Sequence, residues 1–265
     1  FPRHRTICDF RAFHLKELSE LFVQVVKLAR EMGLVKLGTV AIDGTKLKAN
    51  ASRHKAMSYE RMKQAEVELK AQIEALLARA KATDEAEANE PELDIPAEIE
   101  RRETRLAAIR EARERLEQRQ READLQRGRS DDDDRRPRGP DGAPRGGRYK
   151  REFGVPEDKA QENFTDPDSR IMKRAGGRFD PCYNAQTAVD EAAHIIVAAE
   201  LDNSAPDVHW LLPMIEAVQD NLGQLPEQGL ADAGYRSEDN LKNAPIDLVV
   251  ALGREGKQHA QVDCE

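Results

Sequence analysis

The hydrophobic pattern changes character twice within the first fifty residues. Apolar side chains recur every three or four positions over residues 10–32, which predicts an amphipathic helix with Asp9 as its N-cap and Gly33 as its end. Residues 37–49 are rich in β-forming residues and are interrupted by Asp43-Gly44. They predict a strand that ends at Asp43, a tight turn and a second short strand.

A longer helical pattern follows over residues 58–127, in two stretches that are separated by a break between Glu90-Pro91 and Ile95-Pro96. This pattern predicts two antiparallel helices that form a hairpin with solvated charged faces. Residues 128–150 show no periodicity and are rich in Gly, Pro and charged residues. Such a composition is typical of a disordered linker.

Strands and helices alternate after this linker. The order strand, insert, two strands, helix, strand, helix, strand predicts a mixed α/β sheet with flanking helices. The predicted elements are strands over 183–190 and 194–202, a helix over 206–222 that is interrupted or kinked near Pro213, a strand over 228–234, a helix over 238–244 that is capped by Ser237, and a strand over 246–252.

Charge is distributed unevenly along the chain. The net charge of the 265 residues is -8, but the blocks 1–58, 59–134, 135–178 and 179–265 carry +6, -7, +5 and -12 respectively. The two basic blocks are suited to holding nucleic-acid phosphates. The acidic last block fits a carboxylate-rich metal-binding core and ordinary solubility equally well.

Cysteine usage and hydropathy narrow the class of protein. The three cysteines are far apart and indicate neither a disulfide framework nor a Cys-x-x-Cys metal site. There is no apolar run of 18 residues and no signal-like segment. We therefore expect a soluble, cytoplasmic protein that does not bind membranes.

Two aspartates occupy equivalent positions in two predicted strands. Asp43 follows Val40-Ala41-Ile42, and Asp232 follows Gly229-Leu230-Ala231. A carboxylate at the end of a buried strand is costly unless a cation meets it. Two such carboxylates at one sheet edge would suit Mg²⁺ or Mn²⁺. The alternative is that each aspartate merely ends its strand in a turn.

Several segments carry a more specific signal because they occur in one order. They are VAIDGTKLKANAS at 40–52, ENFTDPDSRIMKRAGGRFDPCYNAQTAVD at 162–190, the segment 194–213, and LADAGY at 230–235. Together they resemble the DDE transposases of bacterial insertion sequences. The opening RTICDFR is similar to the segment just upstream of the family's catalytic domain.

The resemblance implies a ribonuclease H-like fold and a metal-dependent enzyme that cleaves DNA and transfers strands at the ends of an insertion sequence. Its cofactor would be Mg²⁺ or Mn²⁺. Its partners would be transposon-end and target DNA, with a homo-oligomer as the active complex. The family's first two catalytic, metal-binding acids fall on Asp43 and Asp232.

The family's third acid, a glutamate on a helix after the last strand, has no match. Glu255 lies in the loop-like Gly253-Arg254-Glu255-Gly256, so we expect the chain to stop short of that helix and to be inactive as written. The expected domain boundaries are an N-terminal helical segment (1–36), the first part of the catalytic domain (37–57), the hairpin insert (58–127), the linker (128–150) and the second part of the catalytic domain (151–265).

Other polar residues have predicted supporting roles, each with a plainer alternative. The basic residues expected to meet DNA phosphates can equally be solvated, and the polar residues Asn184, Gln186 and Tyr235 can contact substrate or simply pack. The predicted DNA-binding residues are Lys46, Lys48, Arg53, Arg170, Lys173 and Arg174.

Three functions compete at this point. The first is the transposase, and the second is another ribonuclease H-like nuclease with the same carboxylates. The third is a catalytically inactive, truncated remnant that acts only in DNA or protein association. The order of the motifs favours the first, and the unmatched glutamate favours the third.

Overall fold

The computed structural model describes residues 2–86, 94–129 and 149–253. Internal contacts divide the chain into a sheet unit (1–48, 172–174 and 182–265) and a hairpin unit (49–171 and 175–181). Within the described ranges, no helix is long and apolar enough to cross a membrane. Most of the predicted linker, at 130–148, and Glu255 lie outside the described residues.

Helices and short strands alternate along the chain. The helices are α1 (His4–Phe13), α2 (Leu15–Glu31), α3 (Tyr59–Ala86), α4 (Ile95–Gln126), α5 (Leu211–Leu222) and α6 (Glu238–Asn243). The strands are β1 (Thr39–Lys48), β2 (Ala56–Ser58), β3 (Gln161–Asn163), β4 (Arg170–Lys173), β5 (Phe179–Asp190), β6 (Ile196–Asp202), β7 (Gln228–Ala231) and β8 (Asp247–Val250).

The N-terminal segment differs from the prediction of one helix over 10–32. Two helices meet at His14, whose φ of -106° and ψ of 30° interrupt the helical path. Asp9 therefore lies inside α1 and is not an N-cap. Helix α1 buries no residue, whereas α2 buries Val26 in the core. The end at Gly33 agrees with the prediction, since this glycine adopts a φ of 73°.

A mixed sheet forms the centre of the sheet unit. Its strands follow the order β4-β5-β1-β7-β8, and β6 also pairs with β5. Strand β5 pairs with both β1 and β6 in antiparallel orientation. On the other side of β1, β7 pairs with β1 and β8 pairs with β7, both in parallel orientation. Helix α5 provides the crossover to β7 and packs against the sheet with buried Leu211, Met214 and Val218. The predicted mixed α/β architecture with flanking helices is therefore present.

Strand β1 corrects the prediction of two short strands around a turn. It continues without a break through Asp43-Gly44 and pairs with β5 from Val40 to Lys48. The glycine is not in a turn, and its role lies in a close approach by other side chains. The predicted helix over 206–222 is interrupted close to Pro213, since a 3-10 turn (Val208–Trp210) precedes α5. Pro213 lies in the first turn of α5, where its missing N–H costs no helical hydrogen bond.

The hairpin unit contains the two long helices that the hydrophobic periodicity predicts. Helices α3 and α4 share an apolar core that includes Met62, Leu106 and Ile109. The unit also contains the small antiparallel sheet of β2 and β3, which the sequence pattern did not indicate. Buried Glu162 on β3 accepts hydrogen bonds from Arg115 and Arg119 of α4, which ties this sheet to the hairpin.

Candidate functional site

Strand β1 presents two chemically different faces. The inner face consists of Val40, Ile42, Gly44 and Lys46, and the outer face consists of Ala41, Asp43, Thr45 and Leu47, because side chains alternate along a strand. Val40 and Ile42 are buried in the core of the sheet unit. The inner face changes from apolar to polar at Gly44, and the outer face carries the first predicted acid.

The two predicted acids occupy neighbouring positions in the parallel pair β1 and β7. Ile42 and Ala231 are partners in this ladder, and each is followed directly by an aspartate. Asp232 continues in an extended conformation with a φ of -80° and a ψ of 175°. Because neighbouring strands lie about 4.8 Å apart, the backbones of Asp43 and Asp232 run side by side. From the alternation of side chains along β1 and β7, we expect both carboxylates to lie on the outer face.

The carboxylates of Asp43 and Asp232 are exposed, which corrects the expectation of a buried strand end. Each accepts one local backbone hydrogen bond of 2.8 Å, from the N–H of Gly44 and of Gly234 respectively. In the part of the chain that the structure describes, neither acid forms an ion pair. Among the described residues, no Lys or Arg side chain supplies the cation that the sequence predicts beside these two carboxylates.

A third aspartate, Asp207, accepts hydrogen bonds from the polar side chains of the inner face. The sequence pattern did not single out this residue. Oδ1 of Asp207 accepts hydrogen bonds from Nζ of Lys46 at 2.9 Å, Nδ2 of Asn184 at 2.7 Å and Nε2 of Gln186 at 2.8 Å. Asn184 and Gln186 are fully buried on β5. With Tyr235, these residues form what we call the Asp207 network.

Opposing effects set the charge state of Asp207. Burial raises the pKa of this carboxyl, but the donors Lys46, Asn184 and Gln186 outweigh burial and leave the pKa below its ordinary value. Asp207 is therefore an anion that is neutralised by Lys46. This ion pair is only partly exposed, with 18% of the Lys46 side chain and 24% of the Asp207 side chain accessible.

Gly44 permits the approach of Asp207 to β1. A Cβ added to this glycine would lie 2.5 Å from Nε2 of Gln186 and closer still to Oδ1 of Asp207. Any side chain at this position would displace the network. The glycine beside the first predicted acid is thus required by a close approach of side chains.

Tyr235 links the network to the second acid. Asp232 is the N-cap of the 3-10 turn Ala233–Tyr235, and the Tyr235 hydroxyl donates a hydrogen bond to Oε1 of Gln186. Burial and the negative charges of Asp207, Asp43 and Asp232 raise the pKa of Tyr235, so it stays a neutral donor. The ring of Tyr235 is fully buried, which agrees with the alternative that this residue simply packs.

Asn184 and Gln186 share a strand face as predicted, but this face is turned inward. Both side chains donate to Asp207, so they support the protein's own structure, and contact with a substrate stays a prediction. The Oδ1 atom of Asn184 is buried and has no hydrogen-bond partner among the described residues.

The predicted DNA-binding residues occupy different settings. Lys46 is already paired with Asp207, whereas Lys48 and Lys173 are exposed in the sheet unit, which also contains Arg174. Arg53 and Arg170 belong to the hairpin unit. Arg53 is exposed, and the Arg170 side chain donates to the carbonyl oxygens of Pro167 and Ser169. Contact with DNA stays a prediction for all six.

The donor chemistry of Asp43 and Asp232 fits a hard divalent cation. Two carboxylates and no imidazole or thiolate are what Mg²⁺ and Mn²⁺ prefer, and Mg²⁺ takes few protein ligands. Within the described residues, no three His, Cys, Asp or Glu side chains are arranged to share one ion. The described part of the edge therefore offers a pair of acidic ligands.

A sequence signal for Asp207 did exist. The inward positions of two neighbouring strands carry Lys46, Asn184 and Gln186, where a packed sheet would otherwise need apolar side chains. Buried polar groups require partners, so these residues indicate a missing acceptor. Because Asp207 follows Pro206, the local pattern predicts only that it lies at the start of a helix.

Comparison with known proteins gives no independent assignment. No protein-family model matches the chain, and no curated protein matches its sequence.

Proposed function

We propose that this chain is the catalytic part of a DDE-type DNA transposase that acts in the cytoplasm on insertion-sequence ends. The observation that carries the proposal is the parallel register of Ile42 with Ala231, the residues that directly precede Asp43 and Asp232. The resemblance of the motifs around both acids to those of insertion-sequence transposases supports the same assignment.

We further propose that the mixed sheet is ribonuclease H-like. An antiparallel set of three strands followed by two parallel strands, with α5 as the crossover, agrees with the fold that the resemblance implies. The hairpin unit then interrupts this domain in the sequence between β1 and β5. Such an insert leaves the register of the two acid-bearing strands intact.

Asp43 and Asp232 would hold Mg²⁺ or Mn²⁺ at the outer face. The bound metal would activate the attacking oxygen and stabilise the leaving oxygen of a phosphodiester. The chain's own contribution is to present two unpaired carboxylates at fixed positions. Exposed Lys48, Arg53 and Lys173 are available for backbone phosphates of transposon-end or target DNA, in a complex that we propose is a homo-oligomer.

A cleavage assay on DNA that carries the element's own ends tests this proposal. When the chain is extended by a glutamate-bearing helix that supplies the third acid, we expect Mn²⁺-dependent cleavage that is lost in Asp43→Ala and retained in Asp247→Ala, whereas the chain as written should not cleave. Asp247 is a matched control because it is exposed and lies at the opposite, amino-terminal end of β8. DNA binding without cleavage would instead support the inactive, association-only remnant.

A further inference from the structure

We propose that Asp207 is a positioning residue that holds the backbone segments bearing Asp43 and Asp232 in register. This inference rests on the proposed function for its catalytic meaning, but the positioning itself can be tested without metal or DNA. Asp207 lies between β6 and α5, as the N-cap of the 3-10 turn Val208–Trp210, and contacts neither acid through a hydrogen bond.

The geometry around Oδ1 of Asp207 ties two strands together from one side. Lys46 comes from β1, whereas Asn184 and Gln186 come from β5, and all three donors converge on a single oxygen at 2.7–2.9 Å. Charge-assisted hydrogen bonds of this kind are roughly twice as strong as neutral ones. Loss of the acceptor would leave two fully buried amide groups and one partly buried ammonium without their shared partner.

The first acid is one residue away from this junction. Oδ1 of Asp207 sits where a side chain of residue 44 would begin, so the carboxylate packs directly on the Gly44 backbone. The Gly44 N–H in turn donates to the Asp43 carboxylate at 2.8 Å. The position of the Asp43 side chain therefore depends on the peptide that Asp207 contacts.

The second acid is connected through Gln186 and Tyr235. Gln186 donates to Asp207 and accepts from the Tyr235 hydroxyl, and Tyr235 ends the turn that Asp232 caps. Oδ2 of Asp207 also lies 3.7 Å from a Cβ added to Gly234 in the same turn. One partly buried side chain thus packs on Gly44 beside the first acid and lies close to Gly234 beside the second.

Charge gives Asp207 a second effect on the pair. Lys46 is neutralised by Asp207, so removal of this carboxylate would leave an unpaired ammonium on the strand that bears Asp43. That cation would oppose a divalent ion on the outer face. Substitutions of groups that orient metal ligands typically weaken metal binding by about 10–100-fold.

Amide hydrogen exchange of the whole chain tests the positioning directly. In Asp207→Ala, we expect amide exchange in the 43–47 and 230–235 peptides to accelerate by about tenfold or more, because local opening of these segments then requires less free energy. The peptide covering α5 should stay unchanged and reports global unfolding. If the alanine variant does not fold, the same measurement is made on Asp207→Asn, which keeps the size of the side chain.

The matched control is Asp190→Ala. Asp190 is a buried aspartate that, like Asp207, accepts several hydrogen bonds, but it lies at the end of β5 and accepts from the backbone N–H groups of Leu37 and Ala192. We expect this variant to leave both acid-bearing peptides unchanged. Equal acceleration in the two variants, or none in Asp207→Ala, would overturn the positioning role.

Mn²⁺ affinity then separates positioning from the proposed function. We expect Asp207→Asn to bind Mn²⁺ about tenfold more weakly than the wild type, and Lys46→Met/Asp207→Asn to recover part of the loss. No recovery would assign the loss to geometry alone. Wild-type protein that binds no Mn²⁺ but shows the exchange result would remove the transposase proposal and leave the positioning role standing.

Discussion

The hairpin unit and the outer face of the sheet unit use carboxylates in opposite ways. In the hairpin unit, Glu162, Glu66 and Asp124 are buried and each is paired with arginine. On the outer face of the sheet, Asp43 and Asp232 are exposed and neither has a cationic partner among the described residues. Carboxylates with a structural role are thus neutralised by the fold, whereas the predicted catalytic pair is left available for a ligand.

This comparison has a counterpart inside the sheet unit. Asp207 is partly buried against the inner face and paired with Lys46, so it resembles the hairpin carboxylates more than the two exposed acids. Strand β1 therefore has a structural carboxylate, that of Asp207, packed on its inner face. Its outer face bears a carboxylate that is available for a ligand, that of Asp43. We expect substitutions on the outer face to affect chemistry and those on the inner face to affect stability.

The largest expected effect is on cleavage. In the chain extended by a glutamate-bearing helix, Asp43→Ala and Asp232→Ala should each lower the rate of Mn²⁺-dependent cleavage by at least about a hundredfold, because misplacement of reacting groups by about 1 Å already has this cost. The double variant should be little worse, since residues that act as a unit are not additive. Initial rates on DNA that carries the element's own ends provide the measurement. If the free-energy losses of the two single variants add up in the double variant, the two acids do not act as a unit.

The same two variants should leave stability nearly untouched. Exposed side chains without ion pairs usually change the free energy of unfolding by less than about 0.5 kcal/mol. Urea denaturation of each variant checks this point. A large destabilisation would place Asp43 or Asp232 among the structural carboxylates and break the comparison.

Glu162 tests the structural side of the comparison. Glu162→Ala removes a fully buried acceptor of Arg115 and Arg119, so it should lower the free energy of unfolding by about 3 kcal/mol. Asp158→Ala removes the exposed partner of Lys63 and should cost at most about 1 kcal/mol. Denaturant titrations in which the two variants behave alike would contradict this assignment.

Gly44 tests the inner face. Gly44→Ala should destabilise the chain by about 1–3 kcal/mol, because the new Cβ overlaps Asp207 and Gln186. Gly38→Ala is the matched control, since a Cβ there meets nothing within 4 Å. Thermal unfolding of both variants provides the measurement, and a neutral Gly44→Ala would show that the Asp207 network adapts.

The smallest expected effect on the inner face is the pH dependence of Asp207. Its folded pKa lies below the ordinary value of 3.8, so its stabilisation is complete above that value and is lost as the pH falls through the folded pKa. Asp207→Asn should therefore be less stable than the wild type by about 1 kcal/mol near neutral pH. The difference should shrink below pH 3.8, and a constant difference would exclude this linkage.

Local patterns predicted the elements better than their contacts. Helices α3 and α4 follow from long runs with helical spacing, and α6 follows from Ser237, whose side chain caps Asn240 N–H. The break at His14 was missed because no Gly or Pro marks it. The short strands β2 and β3 were missed because three residues carry too little alternation to stand out.

The site was predicted only in part for a physical reason. Equivalent positions of Asp43 and Asp232 in two strands can be found along the chain, but the register that sets them side by side is a tertiary property. Asp207 is distant in sequence from Lys46, and its role depends on burial against two strands. Gly44 was interpreted as a turn because its neighbour is an aspartate, whereas a close approach of side chains determines it.

Titration of the protein with Mn²⁺, followed by electron paramagnetic resonance, tests the central claim that Asp43 and Asp232 hold one metal centre. We predict that Asp43→Asn and Asp232→Asn each weaken binding by at least about tenfold, and that the double variant loses less than the two free energies combined. Asp247→Asn should bind as the wild type does. Single variants that keep wild-type affinity, or an equal loss in Asp247→Asn, would contradict the account.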